Sequence, residues 1–302
     1  MLEIGDVSAA APRSRTVWGR LFRHGAARWA LAVIVILILV AVLGPHVLPY
    51  SSDQQLDIVN LKNAPPSLSH PFGTDQFSRD LLSRVVFGTR VSLAISTLAV
   101  LLSITVGATY GMVAGYVGGR ADAVMMRIID GFLSIPRVLF VIALVTLWSP
   151  VGIVGLTFLL GVTGWFGVAR IVRAEMLVTR KALFVEAANA LGASTLRIVW
   201  RHVLPNVAAP VIVFATLAVG NVIVLESGLS YLGAGTKPPT ASWGAIFNDG
   251  MSSSMSAWWV LLFPGLAIMI TVLAFNVLGD ALRDVLDPRE LHGSSSRPEQ
   301  NG

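Results

Sequence analysis

The sequence predicts an all-α integral membrane protein with six transmembrane helices. Only 13% of the 302 residues are charged and 54% are hydrophobic, whereas a soluble domain carries about 25% charged residues. Long uncharged stretches recur along the chain, and each can cross about 30 Å of hydrocarbon as a helix. The net charge of +5 comes from basic residues between these stretches, which is typical of cytoplasmic loops and not of a nucleic-acid-binding surface.

The first span is predicted within residues 29–52, which carry no formal charge and follow a polar segment over 1–28. A cleaved signal peptide is the alternative interpretation. The apolar stretch is longer than the core of a signal peptide, and no A-x-A cleavage pattern follows it. We therefore expect a retained span, and assign 29–90 to this span and a long extracytoplasmic loop.

Five further spans are predicted in a core domain over residues 91–285. They are expected at 91–119, about 132–148, about 152–170, 207–225 and about 258–279. The first of these five carries Gly107, Gly111 and Gly115 at every fourth position, which either lets another helix approach closely or reflects ordinary glycine usage in membrane helices. The next two come from one apolar stretch that is too long for a single crossing, and a break at Ser149–Gly152 divides it.

The basic residues decide the predicted orientation, since cytoplasmic loops are enriched in Lys and Arg. The N-terminal segment and residues 170–206 are the most basic parts of the chain, whereas the loop at 229–257 contains only Lys237. Six spans place the first two regions on one side and the loop on the other. Both termini are therefore predicted to be cytoplasmic, and the polar residues 286–302 are expected to form a disordered tail.

The cytoplasmic segment contains a stretch that reads EAANALGASTLRIVWRHVLPN, from Glu186 to Asn206. Its spacing predicts two short helices joined at Gly192, which suits a helix C-terminus, and Pro205 is expected to end the second helix. An apolar stripe on that helix is predicted at Leu196, Val199 and Val203. The spacing alone is compatible with a linker lying along the membrane surface or with a helix presented to a groove on a soluble partner.

This stretch resembles the EAA signature of ABC importer permeases. The residues that match the signature are Glu186, Ala187, Ala188, Gly192, Leu204 and Pro205. Four more segments resemble, in the same order, parts of the C-type permeases of dipeptide, oligopeptide and nickel importers. They read HPFGTDQFSRD (70–80), GYVGGRADAVMMRIIDGFLSIP (115–136), SYLGAGTKPPTASWG (230–244) and LGDALRDVLDPR (278–289). The chain departs from the family pattern at Ser78, where glycine is usual and would permit a positive φ.

The resemblance implies the type I ABC importer permease fold in the plasma (inner) membrane of a prokaryote, as a multi-pass protein. It also implies a heterodimer with a second, homologous permease subunit, two ABC ATPase subunits that bind ATP and Mg, and an extracytoplasmic substrate-binding protein. The expected coupling loop is 172–206. The residues expected to couple to the ATPase are Glu186, Ala187, Ala188, Gly192, Leu196, Val199, Leu204 and Pro205. Peptides are the expected substrate, with nickel or another small solute as the alternative.

Several polar residues near the spans are candidates for the transport path. Asp75 and Asp80 are expected in the first outer loop, either fixing it as part of an ion pair or contacting a delivery protein or gate. Trp243 is expected in a rigid re-entrant segment or surface cap, with direct contact to the ligand as the alternative. Glu226, near the outer end of the fifth span, is a functional candidate because acids inside membranes are costly. Arg137, the single charge between 131 and 169, is expected near a membrane face, where its long side chain reaches water.

No enzyme motif is present in the sequence. There is no GxxxxGK[ST] phosphate loop, no GxSxG and no HExxH, so no catalytic residue, metal site or cofactor is expected in this chain. A channel or a membrane scaffold is the alternative of a different class. A channel needs a selectivity filter, and the sequence shows none that can be recognised.

Overall fold

The computed structural model describes residues 19, 21, 22, 24–148, 151–190, 192, 194–253 and 256–286. In these residues the chain folds into helices joined by loops. The helices are α1 (Gly25–Val47), α2 (Leu81–Val117), α3 (Gly119–Leu133), α4 (Arg137–Leu147), α5 (Ile153–Val162), α6 (Trp165–Arg180), α7 (Leu183–Ala190), α8 (Thr195–Ile198), α9 (Leu204–Tyr231), α10 (Trp243–Met251) and α11 (Trp259–Leu286). A π-helical turn at Val199–Val203 joins α8 to α9. Most of the predicted N-terminal segment, Ser149, Pro150 and the tail beyond Leu286 lie outside the described residues.

Five helical stretches of the described chain are long and apolar enough to cross a membrane. They are α1, α2, α5 with α6, α9 and α11. The remaining predicted crossing, the third along the chain, corresponds to α3 and α4. These two helices together pass the same test of length and hydropathy but are bent by 82°. The span predicted over about 132–148 is therefore not one continuous helix, and its bounds differ from those predicted. Pro136 lacks a backbone N–H and restricts the residue before it, so α3 ends at Leu133 and α4 starts at Arg137.

Several helices run further than the uncharged stretches indicated. The second span, predicted from residue 91, starts at Leu81, because the Asp80 side chain caps α2 by accepting a hydrogen bond from the Ser83 backbone N–H at 2.8 Å. Pro205 does not end a helix as predicted. It lies in the first turn of α9, where no backbone N–H is needed, so the chain continues from the helix pair into the fifth span.

The glycines of α2 allow close packing against α6, as one of the two interpretations predicted. A Cβ atom at Gly107 would lie 2.6 Å from the Trp165 carbonyl oxygen, and one at Gly115 would lie 2.7 Å from the Cβ of Met176. Small residues permit such backbone contact between membrane helices. The stripe therefore fixes α6 against the longest helix of the bundle.

The bundle has two distinct faces. We call the face with residues 48–80, 232–242 and α10 the loop face, and the opposite face with α7 and α8 the helix-pair face. At the helix-pair face Arg180 donates to the Tyr116 carbonyl oxygen at the end of α2 (2.8 Å). The first and last described residues meet on this face too, where Leu21 and Ala27 pack with Ala281 and Val285. This is the arrangement that six crossings produce, with α3 and α4 counted together as one of them.

Candidate functional site

The helix pair is seated on the bundle by aliphatic side chains. Val185 of α7, Ile198 at the end of α8 and Val203 of the π-helical turn are buried. They pack with Val168, Val172 and Met176 of α6. Sequence reasoning predicted an apolar stripe on the second helix only and so missed Val185, and it missed Ile198 because it assumed a regular helical period. The π-helical turn bonds i to i+5 and shifts the phase, so Ile198 and Val203 face the bundle while Val199 is only half-buried.

The turn between the two helices has the predicted glycine geometry. Gly192 has φ +77°, a left-handed conformation that L residues with a Cβ adopt at a cost. Ala187 and Pro205 are exposed and Leu204 is partly buried. The backbones of Glu186, Ala188 and Leu196 lie in α7 and α8, and their side chains lie outside the described part of the chain.

Two ion pairs hold α3 against α6 near the helix-pair face. Arg173 donates to Asp122, with 2.6 Å between Nη2 and Oδ2, and Arg170 pairs with Asp130. Both acids precede the bend between α3 and α4. The pairs therefore connect the bent pair of helices α3 and α4 to α6, the helix that precedes the helix pair.

The loop face is held by a buried network of two acids and two arginines. Asp75 is fully buried and accepts from Arg79 Nε and Arg84 Nη1, each at 2.7 Å. Asp249 of α10 accepts from the same two arginines, at 2.8 and 2.9 Å. Each arginine thus bridges both carboxylates, and the network joins the first loop, α2 and α10. Charges are retained in such surroundings only when they are paired and hydrogen-bonded.

Asp80 and Ser78 shape the end of the same loop. The second oxygen of Asp80 lies 2.9 Å from Nδ1 of His70, so this carboxylate joins the first loop to the start of α2. Ser78 adopts φ +58°. The position at which the resembling permeases usually have glycine is therefore left-handed in this chain, and a serine occupies it.

Trp243 and Glu226 lie close together under the loop face. Trp243 is fully buried, and its indole Nε1 donates to the Val85 carbonyl oxygen at 3.0 Å. Its neighbour Ser242 donates to Oε1 of Glu226 at 2.8 Å and caps α10. Ser230 also donates to Oε1, at 2.8 Å, while Oε2 has no partner among the described residues. The fold thus gathers the sequence candidates Asp75, Asp80, Glu226 and Trp243 at one face, where each is buried.

A cavity of about 810 Å³ lies between α6, α9 and α11 at the helix-pair face. Its walls are mainly apolar, with Glu175, Asn206 and Arg283 among the polar side chains. Volumes of about 300–1,000 Å³ are typical of small-molecule sites. In the described part of the chain no three His, Cys, Asp or Glu side chains are placed to hold a metal ion.

Comparison with known proteins identifies the family. Residues 107–292 match the family described as binding-protein-dependent transport system inner membrane component. The chain belongs to this family of ABC importer permeases. Residues 13–66 also match the N-terminal transmembrane domain of oligopeptide transport permease C. The protein is therefore a multi-pass inner membrane permease subunit, as the sequence resemblance predicted.

Relatives match this permease over most of its length. The dipeptide transport system permease protein DppC of Bacillus subtilis is 43% identical over 91% of the chain and 86% of its own length. The oligopeptide transport system permease protein OppC of Haemophilus influenzae is 38% identical over 91% and 90%. The glutathione transport system permease protein GsiD of Escherichia coli is 39% identical over 90% and 89%.

A solved structure confirms the fold. A chain of the MetNI methionine ABC transporter, in an inward-facing conformation, matches with a TM-score of 0.57 at 20% identity. The match covers 68% of this permease and 98% of that chain. At this identity the likeness concerns the fold alone, and it bears out the type I importer permease architecture.

Proposed function

We propose that this permease forms half of the path by which an ATP-driven importer moves peptides of two or a few residues across the membrane. The relatives are named for dipeptide, oligopeptide and glutathione transport, and these substrates share a peptide backbone. Nickel, the alternative left open by the sequence, has no such support. The wide, mainly apolar cavity of about 810 Å³ suits a solute of this size.

The observation that carries the coupling mechanism is the way the helix pair is attached. Val185, Ile198 and Val203 bind it to α6 through aliphatic contacts, and Gly192 turns the chain at its tip. An ATPase subunit that grips α7 can therefore push the pair as a unit. The push passes into α9, because the π-helical turn continues into that span without a break, and the bundle switches between its two access states.

The remaining parts of the machine lie outside this chain. A second, homologous permease completes the path, two ABC ATPase subunits bind ATP and Mg, and an extracytoplasmic protein delivers the substrate. In this arrangement the helix-pair face and both termini are cytoplasmic, and the loop face is extracytoplasmic. The core domain is 91–285 with its coupling loop at 172–206, and the flanking parts are 1–28, 29–90 and 286–302.

The proposal is tested with the assembled transporter in proteoliposomes. Gly192→Val forces a side chain into a left-handed turn at the coupling site, and we expect it to abolish ATP-dependent peptide uptake and to weaken copurification of the ATPase subunits. Gly233→Val is the matched control, since Gly233 has the same φ of +77° and equally open surroundings but lies on the loop face. Copurification should stay intact in this control.

Two results would contradict the proposal. Uptake that continues without nucleotide would favour a channel. Normal copurification of the ATPase subunits and normal uptake in Gly192→Val would show that the helix pair does not couple the ATPase to transport. Glu186→Lys extends the test, since residue 186 lies in α7 and the resemblance assigns Glu186 to contact with the ATPase groove. We expect this variant to abolish uptake as well.

A further inference from the structure

Arg137 does not reach for a membrane face as the sequence predicted. Its Nη2 donates to the Leu160 carbonyl oxygen at 2.9 Å. Leu160 lies seven residues into the 28-residue crossing Ile153–Arg180, about 10 Å along its axis. The guanidinium therefore lies at the level of the spans.

A contact of α2 gives a second estimate of how deep the Arg137 guanidinium lies among the spans. Ser103 donates to the carbonyl oxygen of Gly161 at 2.8 Å, one residue from the acceptor of Arg137. Counted along α2, Ser103 is about 33 Å from Leu81 and about 21 Å from Val117 at about 1.5 Å per residue. Both ends of the longest helix are thus far from the Arg137 head group.

Arg137 lies at a break in the membrane crossing. Between α5 and α6 the regular hydrogen bonds stop: the Gly164 N–H bonds to the Gly161 oxygen and leaves the Leu160 oxygen to other donors. Gly164 also makes room for the cation, since a Cβ atom there would lie 2.9 Å from Arg137 Nη2. Freed backbone groups at membrane depth occur where they are satisfied by protein or line a water-filled cavity.

No acidic side chain among the described residues pairs with Arg137. In the part of the chain that the structure describes, none of the ion pairs includes Arg137, and its only hydrogen bond goes to a neutral carbonyl. Its Nε is enclosed without an acceptor among the described residues. An unpaired cation at this depth faces a bundle interior or a water-filled path, because the hydrocarbon excludes it. The planar guanidinium is suited to binding a carboxylate with two parallel hydrogen bonds.

We infer that Arg137 binds the C-terminal carboxylate of the peptide during its passage through the membrane. This inference rests on the proposed peptide substrate and assigns that substrate a contact. Every linear peptide with a free C-terminus carries this group whatever its side chains, so one arginine serves many sequences. The bond to Leu160 holds the side chain in place between substrates.

The test compares two substrate pools in the assembled transporter. One is an equimolar pool of labelled di- and tripeptides with free C-termini, and the other contains the same peptides as C-terminal amides. Uptake into proteoliposomes is measured for the wild type and for Arg137→Gln. We expect the wild type to prefer the free acids, and Arg137→Gln to reduce the acid-to-amide ratio on the order of tenfold, as loss of a charge-assisted pair does. Any preference of the delivery protein is common to both transporters and cancels in the comparison.

Ser103→Ala and Arg137→Lys separate recognition from structure. Ser103→Ala removes the neighbouring bond to the same helix break without a change of charge, so we expect a changed rate with an unchanged acid-to-amide ratio. Arg137→Lys keeps the charge but loses the planar pair of donors, so we expect an acid-to-amide ratio between those of the wild type and Arg137→Gln. This variant also tests the inference if the glutamine variant does not assemble.

The outcomes distinguish the inference from the proposed function. If the wild type imports acids and amides equally, or if the ratio is the same in Arg137→Gln, Arg137 only caps the helix break and the inference fails while peptide import stands. If Ser103→Ala shifts the ratio as far as Arg137→Gln, the effect is structural and the inference also fails. If the wild type imports neither pool, the proposed peptide substrate itself is wrong.

Discussion

The two faces of this permease are held by different interactions. At the loop face, Asp75 and Asp249 share Arg79 and Arg84 in a buried network, so each charge depends on the others. At the helix-pair face, α7 and α8 are attached by aliphatic side chains. Arg197 of α8 and Arg201 of the π-helical turn are exposed. Charge networks are specific and fail when one member is lost, whereas aliphatic contacts permit small sliding movements. We therefore expect the loop face to determine stability and the helix-pair face to determine coupling.

The largest effect is expected at Asp75. Asp75→Ala leaves two arginines buried with a single partner, Asp249, and breaking a buried pair costs about 3–5 kcal/mol. The unfolding temperature of the detergent-solubilised protein, followed by tryptophan fluorescence, should fall by several degrees. Asp53→Ala is the control, since Asp53 is exposed in the same loop and bonds to Ser51. Equal unfolding temperatures for the two variants would show that the network does not stabilise the loop face.

The next effect should be large but local, at the other face. Ile198→Ala removes a buried anchor of the helix pair, and such truncations cost about 2–5 kcal/mol. Because the described contacts of the pair centre on Val185, Ile198 and Val203, we expect local opening and faster trypsin cleavage after Arg197 and Arg201, with little change in the global unfolding temperature. Leu183→Ala removes a comparable side chain that is exposed and should leave the cleavage rate unchanged. Global unfolding in Ile198→Ala would erase the difference between the faces.

A smaller effect is expected at Trp243. Trp243→Phe keeps most of the buried ring and removes the bond from Nε1 to the Val85 oxygen, which is worth about 1 kcal/mol. Trp258→Phe is the control, since Trp258 is exposed, and it should leave the unfolding temperature unchanged. The unfolding temperatures of the two variants are compared. A larger decrease in Trp258→Phe than in Trp243→Phe would show that the bond from Trp243 to Val85 does not stabilise the loop face.

The sequence predicted the parts of this fold that depend on local patterns. Uncharged stretches located the crossings, and the glycine at 192 predicted a left-handed turn, because both signals are contained in a few neighbouring residues. The side-chain partners at the loop face could not be predicted in this way. Arg79 meets Asp249 across 170 residues and Trp243 meets Val85 across 158, and charge type alone does not say which acid and which base will meet.

Helix ends and helix breaks were the main errors, and they have a physical cause. Pro205 is incompatible with a helix interior but is compatible with its first turn, so the same residue fits two structures. Arg137 was assigned to a membrane face because hydrocarbon excludes charge. The carbonyl of Leu160 gives Arg137 a hydrogen-bond partner at the level of the spans. This carbonyl lacks its regular helical donor because the helix breaks near Gly164.

The smallest expected effect sharpens the description of the loop face and is stabilising. Ser78 is buried with φ +58°, a conformation that costs an L residue roughly 1–2 kcal/mol. Glycine removes this cost but loses about 0.5–1 kcal/mol through its greater freedom in the unfolded chain, so Ser78→Gly should raise the unfolding temperature by about 1–2 °C.

Asn63 supplies the matched control for this last prediction, since it also has a positive φ, +50°, in the same loop. Asparagine occupies the left-handed region more readily than serine, so Asn63→Gly should give no gain or a small loss. If both variants gained equally, the stabilisation would come from the loop as a whole and not from the strain at Ser78. If Ser78→Gly were destabilising, the buried serine would contribute more to the loop face than its backbone costs.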